Sequence, residues 1–351
     1  MEKLKTAVGL SKPMAVFVFL YIFHTFAETI TIIGMITYNT IIKQADDLVT
    51  TREQTRAGFI SFALEKNRRS TTIIDNAKSL KVLASNVRNA KDLLKIKDIR
   101  LALLTASGLS DKAMSYFSEE DKDIAIKELI HNFLEPAGEY FADELVYRYL
   151  LVKGDSLGGK MRNVVGALAQ QKLIRTLLSN LSVMGIDCKW LDNDTKKWND
   201  EHDDLINIEN RLKAVYWQYG KNRRTLAFNL NIPLVHNNID ICLFDATSEE
   251  FATGEIVNIP NKILMMGELK GGIDPAGADE HWKTGNTALN RIRTSFENAR
   301  IPIATSFVAA AIEKKMAEEI FTQLQAGILS FAANLTKDEH LVTYCNWIIK
   351  N

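Results

Sequence analysis

A carboxylate and an amine stand two positions apart at the end of an apolar run. The run, KILMMGEL at residues 262–269, reaches Glu268 near its end, and Lys270 follows directly after it. An earlier apolar stretch, IDICLF at 239–244, carries Asp240 near its start. Neighbouring strands lie about 4.8 Å apart and their side chains alternate between faces. If the two stretches pair as antiparallel strands, Asp240, Glu268 and Lys270 converge.

An isolated Glu-x-Lys pair is ordinarily a salt bridge on a solvated strand face. Here alternation would point Leu269 into the core and leave Glu268 and Lys270 together on the other face. Two close carboxylates repel each other unless a cation lies between them, and hard oxygen ligands favour Mg²⁺. The metal would activate a water while Lys270 positions that water and stabilises negative charge. These residues predict metal-dependent hydrolysis of phosphodiester bonds.

The order of these residues resembles that of the PD-(D/E)xK nucleases, although Ile239 precedes the aspartate where the motif is named for proline. GELKGGIDPAGADEHWKTGNTAL, residues 267–289, together with Asp240 resembles the catalytic region of the AvaI/BsoBI family of type II restriction endonucleases. GDSLGGKMRN, at 154–163, is similar in kind to a restriction-enzyme segment. The resemblance covers about residues 150–310 and leaves the first hundred residues unplaced.

The resemblance implies specific roles for the residues of this stretch. The catalytic residues are expected to be Asp240, Glu268, Lys270 and His281, and the metal ligands Asp240, Glu268 and Leu269, with Mg²⁺ as cofactor. His281 lies eleven residues beyond Lys270 and could accept a proton from the attacking water. The alternative is that this solitary histidine near a helix start is a structural hydrogen-bonding residue.

Asp274 is a candidate for reading the DNA sequence. The resemblance points to this carboxylate as an acceptor for the N4 amino group of cytosine in the major groove. An Asx turn in the sequence DPAG explains the same aspartate without DNA, because Pro275 and Gly277 are typical turn residues. Both interpretations stay open at this point.

Lys160 and Arg162 are the candidate phosphate contacts upstream of the motif. Glycines at 154, 158 and 159 precede them, and the pattern predicts that a helix opens here with both cations in its first turn. Such a helix start would present N–H groups and a positive dipole to a phosphate. The alternative is a capped helix start in which glycine serves turn geometry alone.

Charge is segregated along a chain whose net charge is zero. Residues 43–100 carry 13 Lys and Arg against 7 Asp and Glu, whereas residues 111–145 carry 3 against 10. The basic stretch could bind the phosphates of DNA, or both stretches could be solvated helix faces. Zero net charge therefore does not exclude a nucleic-acid partner.

Periodicity divides the chain into two parts. Helical spacing dominates up to about Asn210, and short strands mixed with helices follow from about Val215. We expect strands at 225–232, 239–244, 262–269 and 302–310, and helices at 284–299, 312–326, 328–334 and 338–350. The expected fold class is α/β in the broad sense (α+β): a restriction-endonuclease-like mixed β-sheet core flanked by helices, with a large N-terminal helical domain. Residues 1–210 form the mainly helical, DNA-embracing and dimerisation region, and residues 211–351 the PD-(D/E)xK catalytic domain.

The N-terminus raises the question of a membrane. Residues 13–36 begin with about ten apolar residues, but His24, Thr25 and Glu28 interrupt them, so a buried helix is the interpretation and a membrane span the alternative. The three cysteines, at 188, 242 and 345, show no metal-binding spacing and fit a reducing cytoplasm. We therefore expect a cytoplasmic protein without a membrane partner.

Taken with the resemblance, these patterns predict an Mg²⁺-dependent type II restriction endonuclease. It would act as a homodimer on double-stranded DNA, cut a short palindromic site of the CYCGRG type and leave 5′-phosphate ends. A cognate DNA methyltransferase would protect host DNA. The alternatives are a structure-specific repair or recombination nuclease of the same fold, and a non-catalytic DNA-binding helical protein.

Overall fold

The structure of the protein is a computed structural model that describes residues 37–200 and 207–351. It divides into two compact units. The helical unit consists of Thr50–Gln170 and Lys270–His281, and the sheet unit consists of the described residues up to Val49, Gln171–Leu269 and Trp282–Asn351. The apolar segment at 13–36 lies outside the described residues. Within the described ranges, no helix is long and apolar enough to cross a membrane.

The helical unit is built on two long helices joined by shorter ones. Its helices are α1 (Arg52–Ala84), α2 (Arg100–Ala106), α3 (Asp111–Met114), α4 (Glu119–Leu129) and α5 (Phe141–Val183), the last of which belongs to this unit up to Gln170. A capping box starts α1: the Thr51 hydroxyl accepts from the Gln54 N–H at 3.2 Å, and the Gln54 side chain accepts from the Thr51 N–H at 2.9 Å. Two of the orphan N–H groups of α1 are thereby satisfied.

The core of the helical unit lies among α1, α2, α4 and α5. Leu80 of α1, Leu103 of α2, Leu129 of α4 and Leu145 of α5 are all buried. Each such side chain contributes about 1.5–3 kcal/mol by leaving water. Packing therefore fixes these helices against each other, and their polar faces stay toward solvent.

The expected helix start at Lys160 is wrong, because α5 runs without a break through Gly154, Gly158 and Gly159. Lys160 and Arg162 lie in its interior, where backbone N–H groups are already bonded within the helix. A glycine inside a helix costs about 1 kcal/mol relative to alanine. Buried positions such as Met161 continue the apolar face of α5, and their packing outweighs that cost.

A mixed eight-stranded sheet organises the other unit, which confirms the expected fold class. The strands are β1 (Cys188–Asp192), β2 (Trp198–Asp200), β3 (Leu212–Tyr219), β4 (Asn222–Ile232), β5 (Asn237–Phe244), β6 (Ile263–Lys270), β7 (Ala304–Ala309) and β8 (Phe331–Asn334), and their order is β2-β1-β3-β4-β5-β6-β7-β8. Pairing is antiparallel from β2 through β6 and parallel between β7 and β8. The helices are α6 (Ser248–Ala252), α7 (Ala278–Asn298), α8 (Lys314–Gln325) and α9 (Asp338–Lys350).

The four expected strands and the helices at 284–299 and 312–326 are present with shifted ends, and the helix at 338–350 has the expected bounds. The helix expected at 328–334 is wrong, because Phe331–Asn334 forms the fully buried strand β8. Its sequence, FAAN, has weak strand propensity, and its pairing with β7 decides the outcome. Strands β1 and β2 also precede the expected onset at Val215, since two such short strands carry little periodicity.

Candidate active site

Strands β5 and β6 pair as the sequence predicted, and their register places Asp240 opposite Glu268. Ile241 pairs with Gly267 and Cys242 with Met266, so one further step along both strands sets Asp240 against Glu268. Residues directly opposite each other in an antiparallel pair share a face, with Cβ atoms about 4.5–5.5 Å apart. Lys270, the last residue of β6, lies two positions beyond Glu268. The two carboxylates therefore belong to one small patch of the sheet.

The Asp240 carboxylate is held from the neighbouring strand. The N–H of Leu269 donates to its Oδ2 atom at 2.9 Å. Leu269 thus orients a carboxylate through its backbone. Leu269, which was expected to point into the core, is only partly buried, whereas Glu268 is 4% exposed. Met265, Met266, Gly267 and Glu268 are all buried in succession because this central strand is covered on both faces.

The donor set of this patch fits a hard divalent cation. Glu268 is a buried carboxylate that lies opposite Asp240 in the β5–β6 register. Mg²⁺ uses oxygen ligands, commonly one or two carboxylates with water and substrate phosphate oxygens. Across the residues that the structure describes, no group of three or more His, Cys, Asp and Glu side chains is placed to hold a metal ion. Asp240 and Glu268 are accordingly a two-carboxylate candidate site.

The pKa of the Cys242 thiol is influenced by the charged residues of the same patch. Burial raises the pKa of this thiol, and the charges of Asp240 and Glu268 raise that pKa further, while Lys213 lowers it. A thiol with a raised pKa stays protonated and is a poor nucleophile. The nearby charges of Asp240, Glu268 and Lys213 all act on this one buried group.

His281 lies in the first turn of α7, just after the glycine-containing loop that follows Lys270. Burial lowers the pKa of the imidazole, and the positive charge of Lys270 lowers it further, whereas Glu280 and Asp274 raise it. A Cβ atom added at Gly272 would collide with Cε1 of the His281 ring. Glycine at this position therefore lets the loop pass against the imidazole, which is neutral at neutral pH.

Trp282, the residue after His281, packs within the sheet unit. Trp282 is buried, and its indole N–H donates to Glu319 of α8 at 2.7 Å. The Trp282 ring packs edge-on against Phe307 of β7, with centroids 5.0 Å apart. A buried aromatic with a satisfied N–H is a strong anchor. These contacts hold the part of α7 that belongs to the sheet unit.

Asp274 adopts the Asx turn that was one of its two interpretations. Its Oδ1 accepts from the Ala276 N–H at 3.0 Å, and the side chain is exposed. A turn contact uses only part of the acceptor capacity of a carboxylate. The local geometry is therefore compatible with base reading, which stays a prediction.

The cations of the helical unit are partly engaged in ion pairs. Lys81 contacts Asp143 at 2.6 Å and Lys91 contacts Glu135 at 2.9 Å, so the basic and acidic stretches pair in part with each other. A cavity of about 720 Å³ between α1 and α5 is lined by basic side chains, namely Arg68, Arg69, Lys153 and Lys160. Arg162 is exposed on α5 and does not line that cavity. Lys160 is thus the better placed of the two predicted phosphate contacts.

Sequence reasoning missed Lys213, on β3. Its ammonium donates to the carbonyl oxygens of Phe228 and Asn229 at 2.6 and 2.8 Å. Burial lowers the pKa of Lys213, and the charge of Lys196 lowers it further. A lysine at the start of a strand carries no motif, so only the cross-strand contacts identify it.

The mixed sheet, with Asp240 facing a Glu-x-Lys strand end, defines a restriction-endonuclease-like α+β protein. Residues 38–351 match the family model described as restriction endonuclease BsobI. The chain is 54% identical over 311 residues to the type II restriction enzyme BsoBI of Geobacillus stearothermophilus, covering 88% of this chain and 96% of that protein. It is 50% identical over 313 residues to the type II restriction enzyme AvaI of Nostoc sp., covering 89% and 99%.

The chain therefore belongs to the BsoBI family of restriction endonucleases, and it is a type II site-specific deoxyribonuclease. The resemblance read from the sequence is confirmed. The resemblance was expected to cover only about residues 150–310. The family match is longer, because it begins at residue 38 and includes most of the first hundred residues. Enzymes of this class generally need divalent metal ions.

Proposed function

We propose that this enzyme hydrolyses phosphodiester bonds of double-stranded DNA with Mg²⁺ held by Asp240 and Glu268. The observation that carries the proposal is the β5–β6 register, which sets Asp240 opposite Glu268. Lys270 follows Glu268 by two positions on the same strand. The Leu269 N–H orients Asp240, and Leu269 itself is the third predicted metal ligand. Oxygen donors of this kind suit Mg²⁺ better than softer metals.

A bound divalent cation supplies positive charge that makes a water more acidic and stabilises the crowded charge at the phosphate. The remaining work is done by side chains of this chain. Lys270 orients the attacking water and stabilises negative charge on the phosphate oxygens. Asp240 and Glu268 supply the negative charge that attracts the cation. The products are 5′-phosphate and 3′-hydroxyl ends.

His281 is the general base in this proposal. Its lowered pKa keeps the imidazole neutral at neutral pH, which is the form that accepts a proton. The close passage of Gly272 against the ring limits its orientations. A base held in one orientation transfers a proton more effectively than a mobile one.

Sequence specificity requires a second layer of contacts. We assign Asp274 to base reading and Lys160 and Arg162 to phosphate contacts, which position the duplex without reading its sequence. The helical N-terminal region would embrace the DNA and contribute to dimerisation. A homodimer with two-fold symmetry would cut both strands of a palindrome, in this case one of the CYCGRG type. The cell then needs a cognate methyltransferase of matching specificity.

A structure-specific nuclease with the same core is the competing function. It would cut at junctions, flaps or ends and give no discrete fragments from intact linear DNA. Membership in a family of type II restriction enzymes supports cutting at a fixed sequence instead.

Digestion of plasmid and phage DNA tests the proposal. With Mg²⁺ we expect discrete fragments whose sequenced ends share one short palindrome, and with chelator we expect intact DNA. Glu268→Gln should abolish cleavage, whereas Glu249→Gln, an exposed control on α6, should cut normally. Random fragments, or cleavage that persists in chelator, would contradict it. Because Glu268 is buried, thermal unfolding of both variants checks that the fold is retained.

A further inference from the structure

Strand β4 contains a left-handed residue in its interior. Asn229 has φ of +53°, although the ladder continues on both sides through the pairs Phe228 with Ile241 and Leu230 with Ile239. Left-handed backbone is uncommon for residues other than glycine, and asparagine tolerates it better than most. A local conformation of this kind persists only where surrounding contacts hold it.

The same register sets Asn229 across from Asp240. The flanking pairs leave Asn229 on β4 and Asp240 on β5 as the residues between them. Asp240 is therefore flanked by two strands: β6, whose Leu269 N–H binds its carboxylate at 2.9 Å, and the kinked part of β4. The backbone position of Asp240 depends on both.

Lys213 holds the kink. On a regular strand, successive carbonyl groups point to opposite sides, so one side chain does not reach both. Here the Lys213 ammonium donates to Phe228 O at 2.6 Å and to Asn229 O at 2.8 Å. The left-handed turn at Asn229 is what brings the two oxygens to one donor. Charge-assisted bonds of this length are among the stronger ones in proteins.

Lys213 and the two carboxylates all influence the pKa of one buried thiol. The Cys242 thiol on β5 senses Lys213, Asp240 and Glu268 together. The link between Lys213 and Asp240 is made by its bonds to the β4 carbonyls of Phe228 and Asn229. It lies on β3, two strands away from Asp240 in the sheet order.

We infer that Lys213 is a positioning residue for Asp240: by binding the carbonyls of Phe228 and Asn229 it fixes the β4 kink opposite the metal-binding carboxylate. The inference rests on the proposed function, in which Asp240 is a metal ligand. Loss of the ammonium would release the kink and shift Asp240 without removing any atom of the metal site. A small displacement of a reacting group can cost about 100-fold in rate.

The main test compares Lys213→Met with Lys189→Met, a lysine on β1 whose side chain is 44% exposed. For Lys213→Met we expect single-turnover cleavage slower by about 10- to 100-fold and a higher Mg²⁺ concentration for half-maximal rate. DNA binding measured in Ca²⁺ should change by less than about twofold, since the substitution removes no group assigned to DNA binding. Lys213→Arg, which keeps two donors for the carbonyls, should recover most of the rate. Lys189→Met should match the wild type.

A second pair of variants keeps the idea testable if Lys213→Met unfolds. Asn229→Gly retains access to left-handed backbone and should cleave normally, whereas Asn229→Val disfavours it and should reproduce the Lys213→Met defect. If both act through one kink, the double variant Lys213→Met with Asn229→Val should be no slower than the slower single variant.

Hydrogen–deuterium exchange without metal or DNA gives a readout independent of cleavage. Peptides covering 226–242 should exchange faster in Lys213→Met and Asn229→Val than in the wild type, Lys189→Met or Asn229→Gly. Normal rate and metal dependence in folded Lys213→Met, or equal behaviour of the two Asn229 variants, would overturn the inference. If the wild type cleaves at a fixed sequence and Asp240→Asn also cleaves normally, Asp240 is not a required metal ligand. The positioning role of Lys213 is then excluded as well, because it depends on that assignment.

Discussion

Asp240 is the residue on which the proposed chemistry depends most directly. Asp240→Asn removes one negative charge and keeps the shape of the side chain, so the Leu269 N–H still has an oxygen to bind. We expect cleavage in Mg²⁺ to fall by at least about 100-fold, because lost charge stabilisation at a metal site costs several kcal/mol. Binding of DNA in Ca²⁺ should persist. Single-turnover assays and filter binding measure the two effects, and normal cleavage by this variant would contradict the assignment.

The pH dependence of cleavage distinguishes the two interpretations of His281. Because burial lowers the pKa of the imidazole below its ordinary value near 6.5, the wild-type rate should rise with pH below that value and level off by neutral pH. His281→Ala should be slower, lack this inflection and keep its unfolding temperature. Gly272→Ala displaces the ring and should also slow cleavage. A variant His281→Ala that cuts normally would leave the histidine a structural role.

Alanine substitutions at two glycines of the helical unit should change the stability of the protein in opposite directions. A Cβ at Gly271 would lie 2.5 Å from the carbonyl oxygen of Val165 and 2.8 Å from Ala169 Cβ on α5, whereas a Cβ at Gly158 meets nothing within 4 Å. Gly271→Ala should therefore destabilise the protein by about 1–3 kcal/mol, as overpacking does. Gly158→Ala should stabilise it by about 1 kcal/mol, because α5 is continuous there. Urea unfolding measures both, and destabilisation by Gly158→Ala would contradict a continuous helix.

For the whole molecule, His340 links stability to pH. This histidine is 1% exposed and accepts from the Asn334 N–H at 3.3 Å, and burial lowers its pKa to about 4. The unfolded chain binds the proton near pH 6.5, so this contribution to stability is complete above that value and is lost as pH falls toward 4, by up to about 3 kcal/mol. His340→Asn should flatten that part of the curve relative to the wild type. Denaturant titrations across pH 4–7 give the free energy of unfolding at each pH. If this free energy varies with pH equally in the wild type and in His340→Asn, the coupling is excluded.

DNA affinity is the second property of the whole molecule. If the cations lining the α1–α5 cavity bind phosphates, replacing Arg68, Arg69 and Lys160 with glutamine should lower the slope of log K against log salt by about 0.9 for each phosphate that is no longer neutralised. Lys78→Gln is the control, because this lysine is 73% exposed, pairs with Asp75 and does not line the cavity. Binding should weaken equally for cognate and unrelated DNA. An unchanged slope would assign these charges to ion pairs within the helical unit.

The sequence by itself determined the features that depend on neighbours along the chain. Short apolar runs predict β5 and β6, and the order Asp240, Glu268, Lys270 indicates the chemistry, because both are read within a few residues. Amphipathic spacing likewise predicts α9 with its observed bounds and α8 with small errors at its ends. Local periodicity and a short motif were therefore enough to identify the family.

Only the tertiary structure decided the features that depend on packing between distant segments. FAAN became β8 because β7 offers a buried parallel partner, and α5 continues through three glycines because its apolar face is packed on both sides of them. Lys213 meets Asn229 only after β3 and β4 pair, and the pKa of His281 is lowered only when folding removes water from the ring. Register, burial and desolvation are properties of the assembled sheet and helices, and no local pattern encodes them.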